Sequence, residues 1–169
     1  MRILLLLALV LPLAPRVDAA ALLKPGDPFP AWTLRDQTGV KVSSADLAGK
    51  TYLLWFFPKA MTPGCTAEGR GLRDEVEGFH AHGVEIVGVS FDDPVSNAAF
   101  VKEEGFPFRL LSDESHRVAV SVGAADSTDA PVARRISYLV GPDGKVVRVY
   151  DSVNPSSHAK DVLGDLAHH

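Results

Sequence analysis

The chain has 169 residues, 46% of them hydrophobic and 22% charged, with a formal net charge of −4 at pH 7. That balance excludes a disordered chain, the acidic sign argues against nucleic acid as a partner, and the length suits one domain with a substantial core. A single cysteine, Cys65, excludes any internal disulfide, so its sulfur is free, joined to another molecule or joined to a second subunit.

In chain order, residues 1–19 read as a secretory signal peptide: Arg2 supplies the positive start, 3–13 the apolar run, and Val17-Asp18-Ala19 a small-residue cleavage site. The run is short and interrupted by Pro12 and Pro15, so no stable membrane anchor is expected; an uncleaved anchor is the competing reading. The mature domain is then 20–169, with 15 basic and 20 acidic side chains and a formal charge of −5, in an exported and periplasmic location.

The segment Lys24-Pro25-Gly26-Asp27-Pro28-Phe29-Pro30 is too rich in proline for a helix or a central strand and reads as an extended lead-in. Residues 32–34 and 40–42 flank Asp36-Gln37-Thr38-Gly39, a hairpin turn, and 43–47 form a short helical turn. The apolar run 52–57 suits a strand covered on both faces. From 65 to 82, Leu72, Val76 and Phe79 recur at helical spacing, and Gly83 ends that helix. A buried strand follows at 84–91, a helix at 95–104 stopped by Gly105, an extended run at 106–111, and a short helix at 115–122 closed by Gly123. Strands 136–140 and 146–150 are joined by Gly141-Pro142-Asp143-Gly144-Lys145, and a closing helix spans 157–168. Alternating strands and helices behind an N-terminal β-hairpin predict an α/β, thioredoxin-like three-layer sandwich.

Cys65 falls where the apolar strand 52–57 gives way to a helix. Thr62 fits the N-cap, Pro63 the first helical position, Gly64 the second and Cys65 the third. There the unpaired N–H groups and the positive dipole end favour a thiolate, and the sulfur is expected to meet the Thr62 hydroxyl and backbone N–H groups rather than apolar neighbours. The competing reading is a buried cysteine serving as a small hydrophobe. His80, His82, His168 and His169 read as solvated side chains rather than metal ligands, and neither a metal nor a cofactor is expected.

The stretch Pro58-Lys59-Ala60-Met61-Thr62-Pro63-Gly64-Cys65-Thr66-Ala67-Glu68 resembles the peroxidatic-cysteine motif of the peroxiredoxins, Pro-x-x-x-Thr-x-x-Cys. Its Thr-Pro-Gly-Cys-Thr form is similar to the bacterioferritin comigratory protein or peroxiredoxin Q subfamily. The likeness extends through Leu110-Leu111-Ser112-Asp113 and Arg135-Ile136-Ser137-Tyr138-Leu139-Val140. One departure matters chemically: the commonest members of that subfamily carry a resolving cysteine five residues after the peroxidatic one, and here that position is Arg70.

The resemblance implies a thiol-dependent peroxidase in which Cys65 attacks hydrogen peroxide or an alkyl hydroperoxide and becomes a sulfenic acid, reduced by an external thiol, either a thioredoxin-like protein or a small molecule. It implies that Arg135 pairs with Cys65, with Arg134 the alternative if the register slips by one. Thr62 would hold the peroxide, Pro58 would roof the sulfur against water, and Gly64 with the Cys65 backbone N–H would let the substrate approach closely. Glu68, one turn on, is expected to support the helix start rather than shift protons. A monomer or weak dimer is expected. The rival functions are a non-enzymatic thioredoxin-fold binding module and a peroxide sensor with negligible turnover.

Overall fold

The structure is a computed structural model describing residues 21–168, so the expected leader 1–19 lies outside the described residues. The first hairpin pairs β1 (Thr33–Asp36) antiparallel with β2 (Lys41–Ser43). Its turn is built by the Asp36 carboxylate, which accepts from the N–H groups of Thr38 at 2.9 Å and Val40 at 3.1 Å. A 3₁₀ turn, Ser44–Leu47, leads into β3 (Thr51–Phe56).

Four further strands complete one seven-stranded sheet: β4 (Val84–Ser90), β5 (Arg109–Ser112), β6 (Ile136–Val140) and β7 (Val146–Tyr150), in the order β2-β1-β5-β4-β3-β6-β7. The middle strands β3, β4 and β5 are parallel, while β6 runs antiparallel to β3 and β1 antiparallel to β5. The N-terminal hairpin therefore extends the main sheet rather than standing apart from it. The helices are α1 (Pro63–Asp74), α2 (Val76–Ala81), α3 (Pro94–Glu104), α4 (Arg117–Ser121) and α5 (His158–Leu166).

Every residue of β3 from Tyr52 to Phe56 is buried, as an apolar run covered on both faces requires. Leu53, Trp55, Phe57 and Leu110 face Leu72, Phe79, Phe100 and Val162, from α1, α2, α3 and α5. Tyr52, Leu54, Phe56 and Tyr138 face Trp32, Ala119 and Val120, from the lead-in and α4. This is the three-layer α/β arrangement of the thioredoxin-like fold, with most of its helical mass on one face.

The single helix expected over 65–82 is instead two, divided at Glu75 (φ −101°, ψ 8°). The apolar spacing of Leu72, Val76 and Phe79 runs through the break, so periodicity carries no sign of it. The extended run expected from 106 becomes a strand only at Arg109, because Phe106 and Phe108 are used as buried ring contacts beneath α1 and α3. Gly69 is what lets α1 lie so close to the sheet: a Cβ there would stand 2.5 Å from Phe106 Cζ and 3.1 Å from the Trp55 ring.

Candidate active site

The site is assembled where β3 ends and the chain reverses into α1. Phe57 N–H still donates to the Val89 carbonyl at 3.0 Å, half-buried Pro58 then terminates the ladder, and Ala60 N–H donates to Asp92 Oδ2 at 2.8 Å, from the segment after β4. Met61 takes φ +62°, a left-handed conformation unusual for a side-chain-bearing residue, which completes the reversal. Thr62 is extended (φ −86°, ψ 150°) and α1 begins at Pro63, placing Cys65 in the first turn as the spacing predicts.

Two expectations about this turn need correction. Thr62 occupies the N-cap position, but its hydroxyl makes no capping bond; it donates to the Lys59 carbonyl at 2.9 Å. Nor does the sulfur escape apolar company. Cys65 is fully buried and belongs to the cluster that contains Phe57, Ala60 and Leu72. Among the described residues its one side-chain hydrogen bond comes from Arg135 Nη2, at 3.5 Å from Sγ.

Arg135 reaches Cys65 from the entrance of β6. Its neighbour points elsewhere: Arg134 Nη1 donates to the Gly123 carbonyl at 3.2 Å and Nη2 to Asp126 Oδ1 at 2.5 Å, which ties down the 123–126 loop. Adjacent residues at a strand entrance project to opposite sides, so only one of the two can face the thiol. Gly64 supplies the room, since a Cβ there would lie 3.0 Å from Arg135 Nη2. Among the four side chains expected at the thiol, the structure thus joins Arg135 to Cys65 and leaves Thr62 and Pro58 partly exposed on the rim.

The sequence reading undervalued Glu68. One turn beyond Cys65 and on the same helical face, it is fully buried, and its Oε2 pairs with Arg135 Nη1. Burial pushes its carboxyl up to about 7, against the pull of Arg135. The Trp55 indole N–H also favours the charged form, but among the described residues neither it nor Glu68 Oε1 has a hydrogen-bond partner of ordinary geometry. One guanidinium therefore serves two acidic groups, the carboxyl through Nη1 and the sulfur through Nη2.

His158 and Ser137 were not anticipated. His158, at the start of α5, has its Nε2 2.9 Å from Ser137 Oγ and 3.9 Å from Glu68 Oε1. Burial holds its imidazole down at about 4, with Arg135 adding to that effect and Asp161 opposing it. The available signal was a titratable side chain on the apolar stripe of α5, four residues before Val162.

Arg70 stands on a different face of α1. Its Nε and Nη2 grip Glu104 of α3 at 2.6 and 3.1 Å, and Arg73 Nη1 donates to the Glu104 carbonyl at 2.6 Å. Among the described residues no cluster of three or more His, Cys, Asp or Glu side chains is placed to hold a metal ion, and no helix is long and apolar enough to cross a membrane.

Residues 25–149 match the AhpC/TSA family. Peroxiredoxin Bcp of Escherichia coli (strain K12) is 39% identical over 154 residues, covering 87% of this chain and 97% of that protein. Among solved structures, peroxidoxin BcpB from Mycobacterium tuberculosis superposes with a TM-score of 0.80 at 31% identity, covering 86% of this chain and 97% of that one. The Xanthomonas campestris bacterioferritin comigratory protein, whose structure addresses its alkyl peroxide reduction activity, gives 0.77 at 29% identity, over 90% and 99% of the two chains.

Proposed function

Because the chain belongs to the AhpC/TSA family, and is with its peroxiredoxin relatives a thiol-dependent peroxidase, we propose that it reduces hydrogen peroxide and alkyl hydroperoxides through Cys65 alone. The carrying observation is Arg135 Nη2 at 3.5 Å from Cys65 Sγ in the first turn of α1. The reacting form of the sulfur is the thiolate, and a permanent positive charge and the helix terminus face it there. Its lone pair attacks one peroxide oxygen, the O–O bond breaks, and the departing hydroxide or alkoxide takes a proton to leave as water or alcohol. The sulfur, oxidised by two electrons, becomes a sulfenic acid.

Thr62 and Arg135 would receive the peroxide. The Thr62 hydroxyl sits on the rim, and a modest turn away from the Lys59 carbonyl frees it to donate to a substrate oxygen. Pro58 offers no N–H to water at the strand end, and Gly64 keeps the approach open above Arg135. The sulfur has no solvent exposure, so peroxide entry needs a small outward displacement of this rim.

Arg70, bound to Glu104, stands where the resemblance to the commonest members of the subfamily implies a resolving thiol, and the chain has no second cysteine. The sulfenic acid is therefore reduced from outside: one thiol condenses with it to a mixed disulfide and releases water, and a second thiol exchanges to free Cys65. The leader-like residues 1–19 support an exported location, where a thioredoxin-like protein or a small thiol would serve. N-terminal sequencing of mature protein from an exported fraction tests this part, with Ala20 or a close neighbour expected and a retained Met1 contradicting it. Turnover is tested by peroxide consumption with each candidate thiol. Sustained multiple turnover is expected; a single stoichiometric event with every reductant would contradict an enzyme role.

A further inference from the structure

We propose that His158 is a positioning residue for the thiolate site: its Nε2–H, held by Ser137, serves the orphaned oxygen of Glu68 and so sets how much of Arg135 is left to Cys65. The proposal rests on the peroxidase reading and adds a second tier of control behind it.

Three segments remote in sequence converge here. Arg135 precedes β6, and Ser137, two residues on, projects to the same side of that strand. Glu68 comes from α1 and His158 from α5. Both are almost fully inaccessible, at 0% and 2% exposure. A buried imidazole and a buried carboxyl are costly unless each is used. Among the described residues Glu68 Oε1 has no hydrogen-bond partner, and His158 Nε2 stands 3.9 Å from it.

The charged and titratable groups around the pair decide the imidazole's state. Arg135 faces it from the β6 side and disfavours a second positive charge. Asp161, on its own helix, pulls the other way and is outweighed by burial. Tyr150 of β7 meets the ring edge-on at 5.4 Å and Trp55 of β3 faces Glu68, and neither supplies a competing cation. The imidazole is therefore neutral at physiological pH and has one N–H to place. With that hydrogen on Nε2 it donates to Ser137 Oγ at 2.9 Å, and a shift of about 1 Å brings it within reach of Glu68 Oε1. Donation to the anion favours charged Glu68, which draws Arg135 toward the carboxylate and away from sulfur.

The test is a pH titration of the Glu68 side-chain carboxyl carbon by NMR in ¹³C-labelled full chain, the signal being assigned by its loss in Glu68→Gln. The iodoacetamide rate of Cys65 is measured in parallel. His158→Leu, which removes the donor, should move the Glu68 midpoint upward by about half a pH unit or more. His158→Gln, which keeps an N–H donor, should restore most of that shift. Ser137→Ala, which frees Nε2–H to turn wholly to Glu68, should move the midpoint downward, and it serves alone should His158→Leu fail to fold. The Cys65 alkylation midpoint should follow in the opposite direction, downward in His158→Leu and upward in Ser137→Ala, because the more of Arg135 the carboxylate takes the less is left to the sulfur. An unmoved or lowered midpoint in His158→Leu, an unmoved or raised one in Ser137→Ala, or alkylation that does not follow would overturn the proposal. None of these readouts depends on peroxide turnover, so their failure leaves the peroxidase reading standing, while a wild-type Cys65 inert to peroxide would defeat that reading alone.

Discussion

Helix α1 carries two arginine–glutamate pairs, and their contrast shows what environment does to the same chemistry. Arg70 grips Glu104 with two hydrogen bonds, yet its side chain is 56% exposed, so water and salt screen the attraction. Its effect is mechanical: with the Arg73 bond to the Glu104 carbonyl, it ties α1 to α3. Arg135 and Glu68 are 21% and 0% exposed, and there the guanidinium is divided between a carboxyl and a sulfur. In a poorly screened setting, each proton gained or lost by one partner is felt by the other. The exposed pair fastens helices together, and the buried pair holds one cation against both a carboxyl and the thiol.

The largest break in that contrast removes the sulfur. Cys65→Ser should reduce peroxide consumption to background while leaving circular dichroism and thermal unfolding near wild type, because an alcohol is barely ionised at neutral pH. Next comes the shared cation. Arg135→Ala should lower kcat/KM for peroxide by about 10²-fold or more and slow alkylation of Cys65 at pH 7, by analogy with losing one donor to developing charge. Arg135→Lys should recover only part of this, since a point charge cannot hold carboxyl and sulfur on separate nitrogens. An alkylation profile unchanged in Arg135→Ala would remove Arg135 from the site.

Glu68→Gln should give a smaller but more diagnostic change, read in stability against pH. Glu68 is raised in the folded state to about 7 from 4.5, so the folded chain holds that proton longer and this group's contribution to stability falls as pH rises between those values. His158 is lowered to about 4 from 6.5, so the unfolded chain takes up that proton first and its contribution rises with pH over that range. The two oppose each other between pH 4.5 and 6.5 and leave the wild type comparatively flat. Urea unfolding of Glu68→Gln should uncover the His158 slope, with stability rising with pH by about 1 kcal/mol per unit. A curve parallel to wild type would show that the two groups do not titrate as described. The smallest effect belongs to the exposed pair: Arg70→Ala should lower Tm by no more than a few degrees and leave peroxide reduction unchanged, as calorimetry and a peroxidase assay would show.

What was legible in the sequence follows the same division. Strands β6 and β7 coincide with the expected 136–140 and 146–150 because apolar runs bounded by Gly141-Pro142-Asp143-Gly144 leave little freedom. The first-turn position of Cys65 was readable from Thr62-Pro63-Gly64, and Arg135 from the motif it belongs to. The orientation of the Thr62 hydroxyl was not, because it turns on competition with the Lys59 carbonyl. Glu68 carried a local signal in its spacing from Cys65, but its burial depends on α5 and β6 closing over it. The break at Glu75 left the apolar period intact and was invisible for that reason.

The central claim, that Cys65 alone carries the redox chemistry, is tested most directly by treating reduced wild-type protein with one equivalent of hydrogen peroxide in the presence of dimedone, then measuring intact mass and mapping the adduct. The account predicts one dimedone adduct per chain, located on Cys65, no intrachain disulfide, and progression to sulfinic and sulfonic acid when excess peroxide is added without a thiol. A protein that consumes peroxide without ever labelling at Cys65, or that leaves Cys65 a free thiol throughout, would contradict it.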